Sequence, residues 1–217
     1  MTSGTFRILL TLLATSLLTP IVLPATAAEL DAGALIQRLA KPAPATIDFA
    51  EIRFSSLLKQ PLIVSGTLGY AGPATLDRHV TKPYREDTEI RGESVRVSRE
   101  GEPVRSFALK RAPELSGLLT AFTALLAGDR DAVGREFEIA ASGDEATWQL
   151  KLTPRDARVR KRVPGIQIDG RKDLPRCFTI ANDNGGASVM LLGAAAATEL
   201  PQPLTREWLE RWCAATE

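Results

Sequence analysis

Apolar and polar residues alternate along much of the segment from residue 62 to residue 97. Successive residues of a β-strand point to opposite faces of the sheet, so this pattern predicts strands with one apolar face and one solvated face. The dipeptide Gly72-Pro73 interrupts the alternation, which resumes at Leu76, and this break predicts a turn between antiparallel strands. Nothing in the segment suggests catalysis, so we expect the apolar face itself to be the functional part.

Further strands are predicted in the second half of the chain. Residues 137–139 and 148–152 alternate in the same way, and the turn segment 142–144 joins them into a predicted hairpin. Three short apolar segments follow, at residues 166–168, 178–180 and 189–191. Residues 182–186 consist of Asn, Asp and Gly and are a strong turn signal between the last two segments. Successive hairpins of this kind predict an antiparallel meander.

Helical periodicity occurs at three places. Residues 32–39 form an amphipathic opening helix, and the clearest helix covers residues 113–127, with Pro at its start and Gly just past its end. The apolar residues of the second helix recur at helical spacing and form one continuous stripe: Leu115, Leu118, Leu119, Phe122, Leu125 and Leu126. The last helix begins after Thr205, a favoured N-cap residue, and carries Trp208 and Trp212 one turn apart.

An antiparallel sheet with helices at the start, middle and end of the chain is an α+β arrangement. The N-terminus combines Arg7, an apolar run over residues 8–23 and the small residues of Ala25-Thr26-Ala27. These features predict a cleaved signal peptide over residues 1–27, although an uncleaved membrane anchor is the alternative. No Cys follows the apolar run, so we expect no lipid anchor. We therefore predict a single secreted domain over residues 28–217.

The charge balance argues against nucleic acid as a partner. Lys and Arg number 27 against 26 Asp and Glu, and the first 27 residues contain only Arg7, so the secreted chain is neutral. One basic run stands out, consisting of Arg155, Arg158, Arg160, Lys161 and Arg162. It is interpreted either as a solvated loop and strand edge or as a docking patch for an acidic partner or anionic lipid head groups, since clustered charge accelerates association. We predict the docking contacts at Arg158, Arg160, Lys161 and Arg162.

The two cysteines, Cys177 and Cys213, would lie in an oxidising compartment, where a pair can persist as a disulfide. A bridge would tie the last helix to a strand of the sheet. Two free thiols are the alternative, because spacing alone does not bring the two Cα atoms within bonding distance.

Candidate catalytic groups are few. His79 is the only histidine, which argues against a histidine-based metal site, and neither a G-x-S-x-G elbow nor a phosphate-binding glycine loop occurs. Carboxylates such as Glu136, Glu138, Asp144 and Glu145 stand in turns or alternating strands, where solvation is their expected role. We therefore predict a protein that is not an enzyme and needs neither a cofactor nor a metal.

One motif points to a known family. The residues Gly66-x-Leu68-x-Tyr70-x-x-Pro73-x-x-Leu76-x-Arg78, preceded by Phe49-x-x-Ile52-x-Phe54, resemble the early strands of the periplasmic lipoprotein carriers of the LolA type. Two departures, Asp77 directly after Leu76 and Val95-Arg96-Val97 after the turn at Gly92, make the chain resemble a divergent LolA-related subgroup whose members serve other lipidic cargo.

The resemblance implies a curved antiparallel sheet, an open half-barrel, with an N-terminal helix, a lid helix at residues 113–127 and a C-terminal helix. It implies a periplasmic chaperone that shelters acyl chains of lipoproteins or other lipids and passes them toward the outer membrane. The implied partners are an inner-membrane exporter and an outer-membrane acceptor, and the carrier is expected to be a monomer. The implied cavity is lined by Leu68, Tyr70, Leu76, Val95, Val97, Leu115, Leu118, Leu119, Phe122, Leu126, Trp148 and Leu150, with Arg78 as a candidate latch for the lid.

Two other functions stay open at this point. A non-catalytic adaptor would fill the interior of its sheet with its own side chains and act through the basic run. A lipid-modifying hydrolase would place a Ser or Asp in a cavity beside His79. An empty apolar cavity under the lid helix would favour the carrier.

Overall fold

The computed structural model describes residues 30–72, 74–182 and 185–215. Within these residues the chain forms one antiparallel sheet of eleven strands. The strands are β1 Ala45–Phe54, β2 Leu62–Gly72, β3 Thr75–Lys82, β4 Glu86–Arg91, β5 Ser94–Arg99, β6 Arg105–Ala108, β7 Phe137–Gly143, β8 Trp148–Pro154, β9 Ile166–Arg171, β10 Leu174–Ala181 and β11 Ala187–Leu192. The helices are α1 Ala32–Arg38, α2 Pro113–Ala127, α3 Arg130–Glu136, α4 Ala157–Arg162 and α5 Arg206–Ala214, with short 3-10 helices at Leu109–Arg111 and Gly193–Ala197.

The first and last strands pair in the middle of the sheet. The strand order is β6-β5-β4-β3-β2-β1-β11-β10-β9-β8-β7, so the sheet is open, with edges at β6 and β7. Phe49 of β1 lies opposite Gly66 of β2 on one side and Leu192 of β11 on the other. The chain thus builds the sheet outward from β1 to β6, continues through α2 and α3, and returns inward from β7 to β11.

Helices α1, α2 and α3 cover one face of the sheet. Leu35 of α1, Leu125 of α2 and Val133 of α3 share a single core with apolar residues of the strands. Val95 of β5 and Phe137 of β7 belong to this core although they come from opposite ends of the sheet. The sheet therefore curves around the three helices, and we call this face the concave face.

Helix α5 covers the opposite, convex face. Its Leu209 and Cys213 pack against Ile52, Val189 and other buried residues of the central strands. The Sγ atoms of Cys213 and Cys177 form a disulfide, with the two Cα atoms 5.8 Å apart. The last helix is thereby joined covalently to β10.

The helix ends follow elementary capping chemistry. The Asp31 carboxylate accepts a hydrogen bond of 2.7 Å from the N–H of Gly33 at the start of α1. Helix α2 has Pro at its first position and ends at Gly128, whose φ of 66° lies in the left-handed region. The Thr205 hydroxyl caps α5 by accepting from the N–H of Trp208.

The predicted α+β class, open antiparallel sheet and N-terminal, middle and C-terminal helices are confirmed. The prediction of helices at only three places is wrong, since α3 and α4 are additional. The basic run is not a loop and strand edge, because residues 157–162 form α4. Asp156 caps this helix by accepting from the N–H groups of Arg158 and Val159. The predicted signal peptide lies outside the described residues.

Candidate lipid-binding cavity

An apolar cavity of about 330 Å³ lies between the second half of α2 and the concave face. Helix α2 contributes Phe122, Leu125 and Leu126 to its walls. The opposite wall consists of three side chains from adjacent central strands: Ile47, Phe178 and Leu192. Leu39, Leu174 and Pro175 complete the apolar lining. Volumes of about 300–1,000 Å³ are typical of sites that hold a small ligand.

The position of α2 over the sheet is set by the chain that connects α1 to β1. The N–H of Lys41 in this connection donates a hydrogen bond of 2.8 Å to the carbonyl of Leu126. A Cβ built on Gly128 would lie 3.0 Å from the Cβ of Ala40, so a glycine permits this close approach as well as the left-handed conformation. The end of α2 is therefore held beside the cavity by main-chain contacts.

The chemistry of this lining suits hydrocarbon. Its polar members are Lys41 and Thr46, and the rest of its side chains are those of Leu, Ile, Phe, Pro and Ala. Each CH₂ group moved from water into such surroundings gains about 0.8 kcal/mol. The cavity can therefore hold an acyl chain without a specific polar contact.

A larger groove of about 660 Å³ continues along the same strands. Phe178 lines both spaces, so the cavity and the groove lie next to each other at this residue. Beyond Phe178 the apolar wall continues with Ile180 of β10 and Met190 of β11. The floor of the groove is charged, with Glu51 and Arg53 of β1 next to Arg78 of β3 and Glu86 of β4.

These charged side chains form a continuous chain of ion pairs. Arg53 contacts the Glu51 carboxylate through Nε at 2.8 Å and Nη2 at 2.9 Å. Arg78 lies between the two acids, with Nη2 at 2.5 Å from Glu51 and Nη1 at 3.3 Å from Glu86. Arg99 reaches the other oxygen of Glu86 at 3.3 Å. Arg99 also contacts Glu102 at 3.2 Å, and Glu102 contacts Arg105 at 3.8 Å. The order of the ion pairs is therefore Arg53, Glu51, Arg78, Glu86, Arg99, Glu102 and Arg105.

Glu51 is ionised despite its burial. Removal from water raises the pKa of this carboxyl group, but the hydrogen bonds and charges of Arg53, the charge of Arg78 and the hydroxyl of Ser188 outweigh that cost. The net result is a pKa lowered to about 2. Burial lowers the pKa of Arg53, but the hydrogen bonds and charge of Glu51, together with Tyr84 and Glu86, outweigh it, so the pKa of Arg53 lies above its ordinary value.

The residues that the resemblance implied as cavity lining occupy three kinds of place. Phe122 and Leu126 line the cavity, and Val97 lines the groove. Seven others are buried in the core of the concave face: Leu68, Tyr70, Leu76, Val95, Leu119, Trp148 and Leu150. The side chains of Leu115 and Leu118 lie outside the described part of the structure. Packed side chains thus fill the concave face over β2, β3, β5 and β8, and the open space lies over β1, β11 and β10 in the middle of the sheet.

Arg78, the candidate latch for the lid, contacts side chains of the sheet. It is 5% exposed, pairs with Glu51 and Glu86, and its guanidinium carbon lies 4.9 Å from the centre of the Phe49 ring. Each of these partners belongs to β1 or β4. The contacts of Arg78 therefore tie β3 to its neighbour β4 and, across β2, to β1.

The basic side chains of α4 lie on the surface. Arg158, Arg160, Lys161 and Arg162 are all exposed. Nη1 of Arg160 donates a hydrogen bond of 2.8 Å to the carbonyl of Pro154. The capping of α4 by Asp156 brings these residues together on one short helix at the end of β8.

His79 lies on the convex side of β3, away from the cavity. Its Nδ1 is 2.7 Å from Asp87 Oδ1, and about half of its side chain is exposed. Among the described residues, no cluster of three or more His, Cys, Asp or Glu side chains could hold a metal ion. In the same part of the chain, no helix is both long and apolar enough to cross a membrane.

Sequence reasoning missed the sheet side of the cavity and the ion-pair chain. Ile47 lies two residues before Phe49 and between the polar residues Thr46 and Asp48. This alternation could have placed Ile47 on the same face as Phe49. Glu51 and Arg53 share the parity of Phe49, which places two charges on the apolar face of β1. Charges at inward positions of a strand are a signal of a buried polar network.

Comparison with known proteins identifies a family. A model of the family described as outer membrane lipoprotein carrier protein LolA-like matches residues 24–215. No curated protein matches the sequence.

Three solved structures are similar at low identity. A LolA superfamily protein from Nitrosomonas europaea has 10% identity and a TM-score of 0.40, over 81% of this chain and 96% of that one. LprF from Mycobacterium bovis has 13% identity and a TM-score of 0.33, over 80% of this chain and 97% of that one. The MucA/MucB complex of Pseudomonas aeruginosa has 13% identity and a TM-score of 0.37, over 78% of this chain and 59% of the matched chain.

The family match spans nearly all of the described residues and agrees with the open antiparallel sheet. Members of the family are in general periplasmic, non-catalytic proteins that bind lipids or lipoproteins. The chain belongs to the LolA-like family of outer membrane lipoprotein carrier proteins.

Proposed function

We propose that this protein is a periplasmic carrier that shelters acyl chains of lipids or lipoproteins between α2 and the concave face of the sheet. The observation that carries the proposal is the apolar cavity of about 330 Å³ under Phe122, Leu125 and Leu126. An interior filled by the protein's own side chains would have left no room for hydrocarbon and would have favoured the non-catalytic adaptor. The cavity instead offers a site whose walls are almost wholly apolar.

Delivery completes the proposed function. A carrier takes its cargo from an inner-membrane exporter and passes it to an outer-membrane acceptor, so it needs a surface that meets these partners. The exposed side chains of Arg158, Arg160, Lys161 and Arg162 supply such a surface, because clustered positive charge raises the association rate with an acidic partner. In this proposal the monomer consists of one domain, residues 28–217, after removal of residues 1–27.

A hydrolase receives no support from the site. His79 lies on the convex side of β3, and the polar side chains that line the cavity are Lys41 and Thr46. A lysine and a threonine without a partner base do not form an activated nucleophile. The proposal therefore includes no reaction.

The proposed function is tested by filling the cavity. Leu126→Trp places a larger side chain at the half-buried end of α2, where the wall can move, and it should lower the affinity for a fluorescent stearate probe at least about tenfold. Ile63→Trp is the matched control, because Ile63 is 41% exposed on the convex side of β2. Equal probe affinity in both variants and in the parent would rule out the cavity as the acyl site.

A second variant changes the polarity of the same wall. Phe122→Glu places a charge where the chain would lie, so lipid transfer between donor and acceptor vesicles should stop. Far-UV circular dichroism shows whether the variant retains its fold. A folded Phe122→Glu protein that transfers lipid at the parental rate would contradict the proposal.

A further inference from the structure

We infer that the charged groove beyond Phe178 binds the anionic head group of the cargo, so that the carrier selects phosphate- or carboxylate-bearing amphiphiles. This inference rests on the proposed function, because the acyl part of the same molecule would occupy the apolar cavity. Acyl binding requires no positive charge, whereas an anionic head group would pair with the arginines that line the groove.

The concave-facing side chains of β1 change from apolar to charged along the strand. Ile47, Phe49, Glu51 and Arg53 point to the concave face in succession, so the strand changes from apolar to charged along its length. Six residues of a strand span about 20 Å. Phe178 lines both the cavity at the apolar end and the groove at the charged end. An amphiphile laid along these strands would have its chain and its head group in matching surroundings.

Glu51, the most buried acid of the groove, has no hydrogen-bonding capacity left for a ligand. The two oxygens of Glu51 accept from Nε and Nη2 of Arg53, from Arg78 and from the Ser188 hydroxyl. A carboxylate has about four acceptor sites, so these four bonds saturate it. Arg53 directs two of its N–H groups to Glu51, and a guanidinium has five in total. Where Glu51 and Arg53 line the groove, the capacity left to a ligand is therefore that of the Arg53 donors.

The groove carries a net positive charge. Its lining holds the guanidinium groups of Arg53, Arg78 and Arg105 against the carboxylates of Glu51 and Glu86. Arg105 is 63% exposed, and its ion pair with Glu102 is long, at 3.8 Å. Guanidinium groups pair with carboxylate and phosphate oxygens in a bidentate geometry. Cationic head groups would be repelled, and uncharged ones would gain little.

The experiment compares head groups on one alkyl chain. Binding of dodecanoate, dodecyl phosphate, dodecanol and dodecyltrimethylammonium to the secreted protein is measured by displacement of the fluorescent stearate probe. We expect the two anions to bind about tenfold more tightly than the alcohol, and the ammonium compound to bind least. The difference between anion and alcohol should shrink as salt is added, because exposed guanidinium groups are screened. The tighter of the two anions distinguishes a phospholipid-like cargo from a fatty acid.

Two variants locate the effect. Arg105→Gln leaves the contacts of Glu51 intact, and the double change Arg53→Gln with Arg105→Gln removes both exposed guanidinium groups of the groove. Affinity for the anions should fall stepwise, and affinity for dodecanol should not change. Arg155→Gln is the matched control, since Arg155 is 51% exposed and contacts Glu138 and Gly134 at the edge of the sheet.

The outcomes separate the two proposals. Equal binding of all four compounds, or loss of anion affinity in none of the groove variants, would refute the head-group site and leave the acyl cavity standing. Failure of every compound to displace the probe would refute the proposed function together with the inference. A weaker affinity for dodecanol in the arginine variants would also overturn the inference, because it would indicate a general loss of structure.

Discussion

The guanidinium of Arg78 and the carboxylate of Glu51 lie 2.5 Å apart on the concave face, where the two residues are 5% and 7% exposed. Charges at such depth are costly unless they are paired, and removal of one partner leaves the other charge uncompensated. Because β2 lies between β1 and β3 in the sheet, the pair joins two strands that do not share backbone hydrogen bonds. The pair therefore joins β1 to β3 at the floor of the groove.

The first prediction concerns the pH dependence of stability. The pKa of Glu51 in the folded protein is about 2, against 4.5 ordinarily, so the ionised carboxylate stabilises the fold fully above the ordinary value. This contribution is lost as the pH falls from about 5 to 2. Each pKa unit corresponds to about 1.4 kcal/mol, which gives a contribution on the order of 3 kcal/mol at neutral pH.

Chemical denaturation of the parent and the Glu51→Gln variant from pH 7 to pH 2 measures this contribution. The difference in free energy of unfolding should be largest at neutral pH and should shrink below pH 5. Glu138→Gln is the control, because the Glu138 side chain is 65% exposed at its edge strand. A difference between parent and Glu51→Gln that does not vary with pH would contradict the expected ionisation.

The second prediction concerns the contact of Trp148 with Gly170. A Cβ added at Gly170 would lie 2.1 Å from a ring carbon of Trp148, whose Nε1 donates a hydrogen bond to the carbonyl of Lys172. Gly170→Ala must therefore displace the indole from its buried site, at a cost of about 1–3 kcal/mol or more. The measurement is the free energy of unfolding together with near-ultraviolet circular dichroism of the tryptophans.

Gly134→Ala is the matched control for this change. A Cβ at Gly134 would meet nothing within 4 Å, and the residue lies inside α3. Alanine has the better helix propensity, so this variant should gain about 0.5–1 kcal/mol. If both alanine variants changed stability equally, the tight contact at Trp148 would be disproved.

The third prediction concerns the disulfide. Cys177 and Cys213 are separated by 36 residues, and a loop of this length corresponds to about 4 kcal/mol in the chain-entropy model. Cys213→Ser should therefore lower the free energy of unfolding by roughly 3–4 kcal/mol. Thiol titration of the denatured, unreduced protein should find no free thiol, and two free thiols would show that α5 is held by packing alone.

The fourth prediction concerns the basic surface of α4. Replacement of Arg158, Arg160 and Arg162 by Glu should slow delivery of cargo to an anionic membrane or acidic acceptor, because charges at the rim of an interface act mainly on the association rate. Affinity for the stearate probe should be unchanged, since these side chains lie outside the cavity lining.

The control for the α4 reversal changes three exposed basic residues elsewhere: Lys82, Arg85 and Arg96. The measurement is the transfer rate over a series of salt concentrations. If the transfer rate depends on salt equally in the α4 variant, the control variant and the parent, the basic run is a solvated surface without a docking role.

The strands and the main helix could be predicted because their burial follows a simple period. Residues 148–152 alternate and form β8, and residues 113–127 have a continuous apolar stripe and form α2. Helices α3 and α4 lack this signal: α3 buries only Val133, and none of the described residues of α4 is buried. Their caps, Asp129 and Asp156, were visible in the sequence, but a cap without an apolar stripe is a weak signal.

The open space was harder to predict than the fold. An apolar inward position has the same sequence signature whether it packs against a neighbour or borders a cavity, and this is why Leu68 and Leu150 could not be told apart from Leu126 beforehand. The difference depends on where α2 ends over the sheet. That position is set by Gly128 and by the hydrogen bond from Lys41 to Leu126, which join parts of the chain far apart in sequence.

Cys177 and Phe178, which are neighbours on β10, point to opposite faces of the sheet. Cys177 is bonded to α5 on the convex face, and the Phe178 ring borders the cavity on the concave face. The disulfide therefore fixes α5 to the sheet on the convex face, whereas on the concave face no cross-link holds the side chains of α2 to the strands below. Under the proposed function, a shift of α2 would admit cargo without disturbing the cross-linked side of the sheet, so loading would not require the protein to give up its resistance to unfolding.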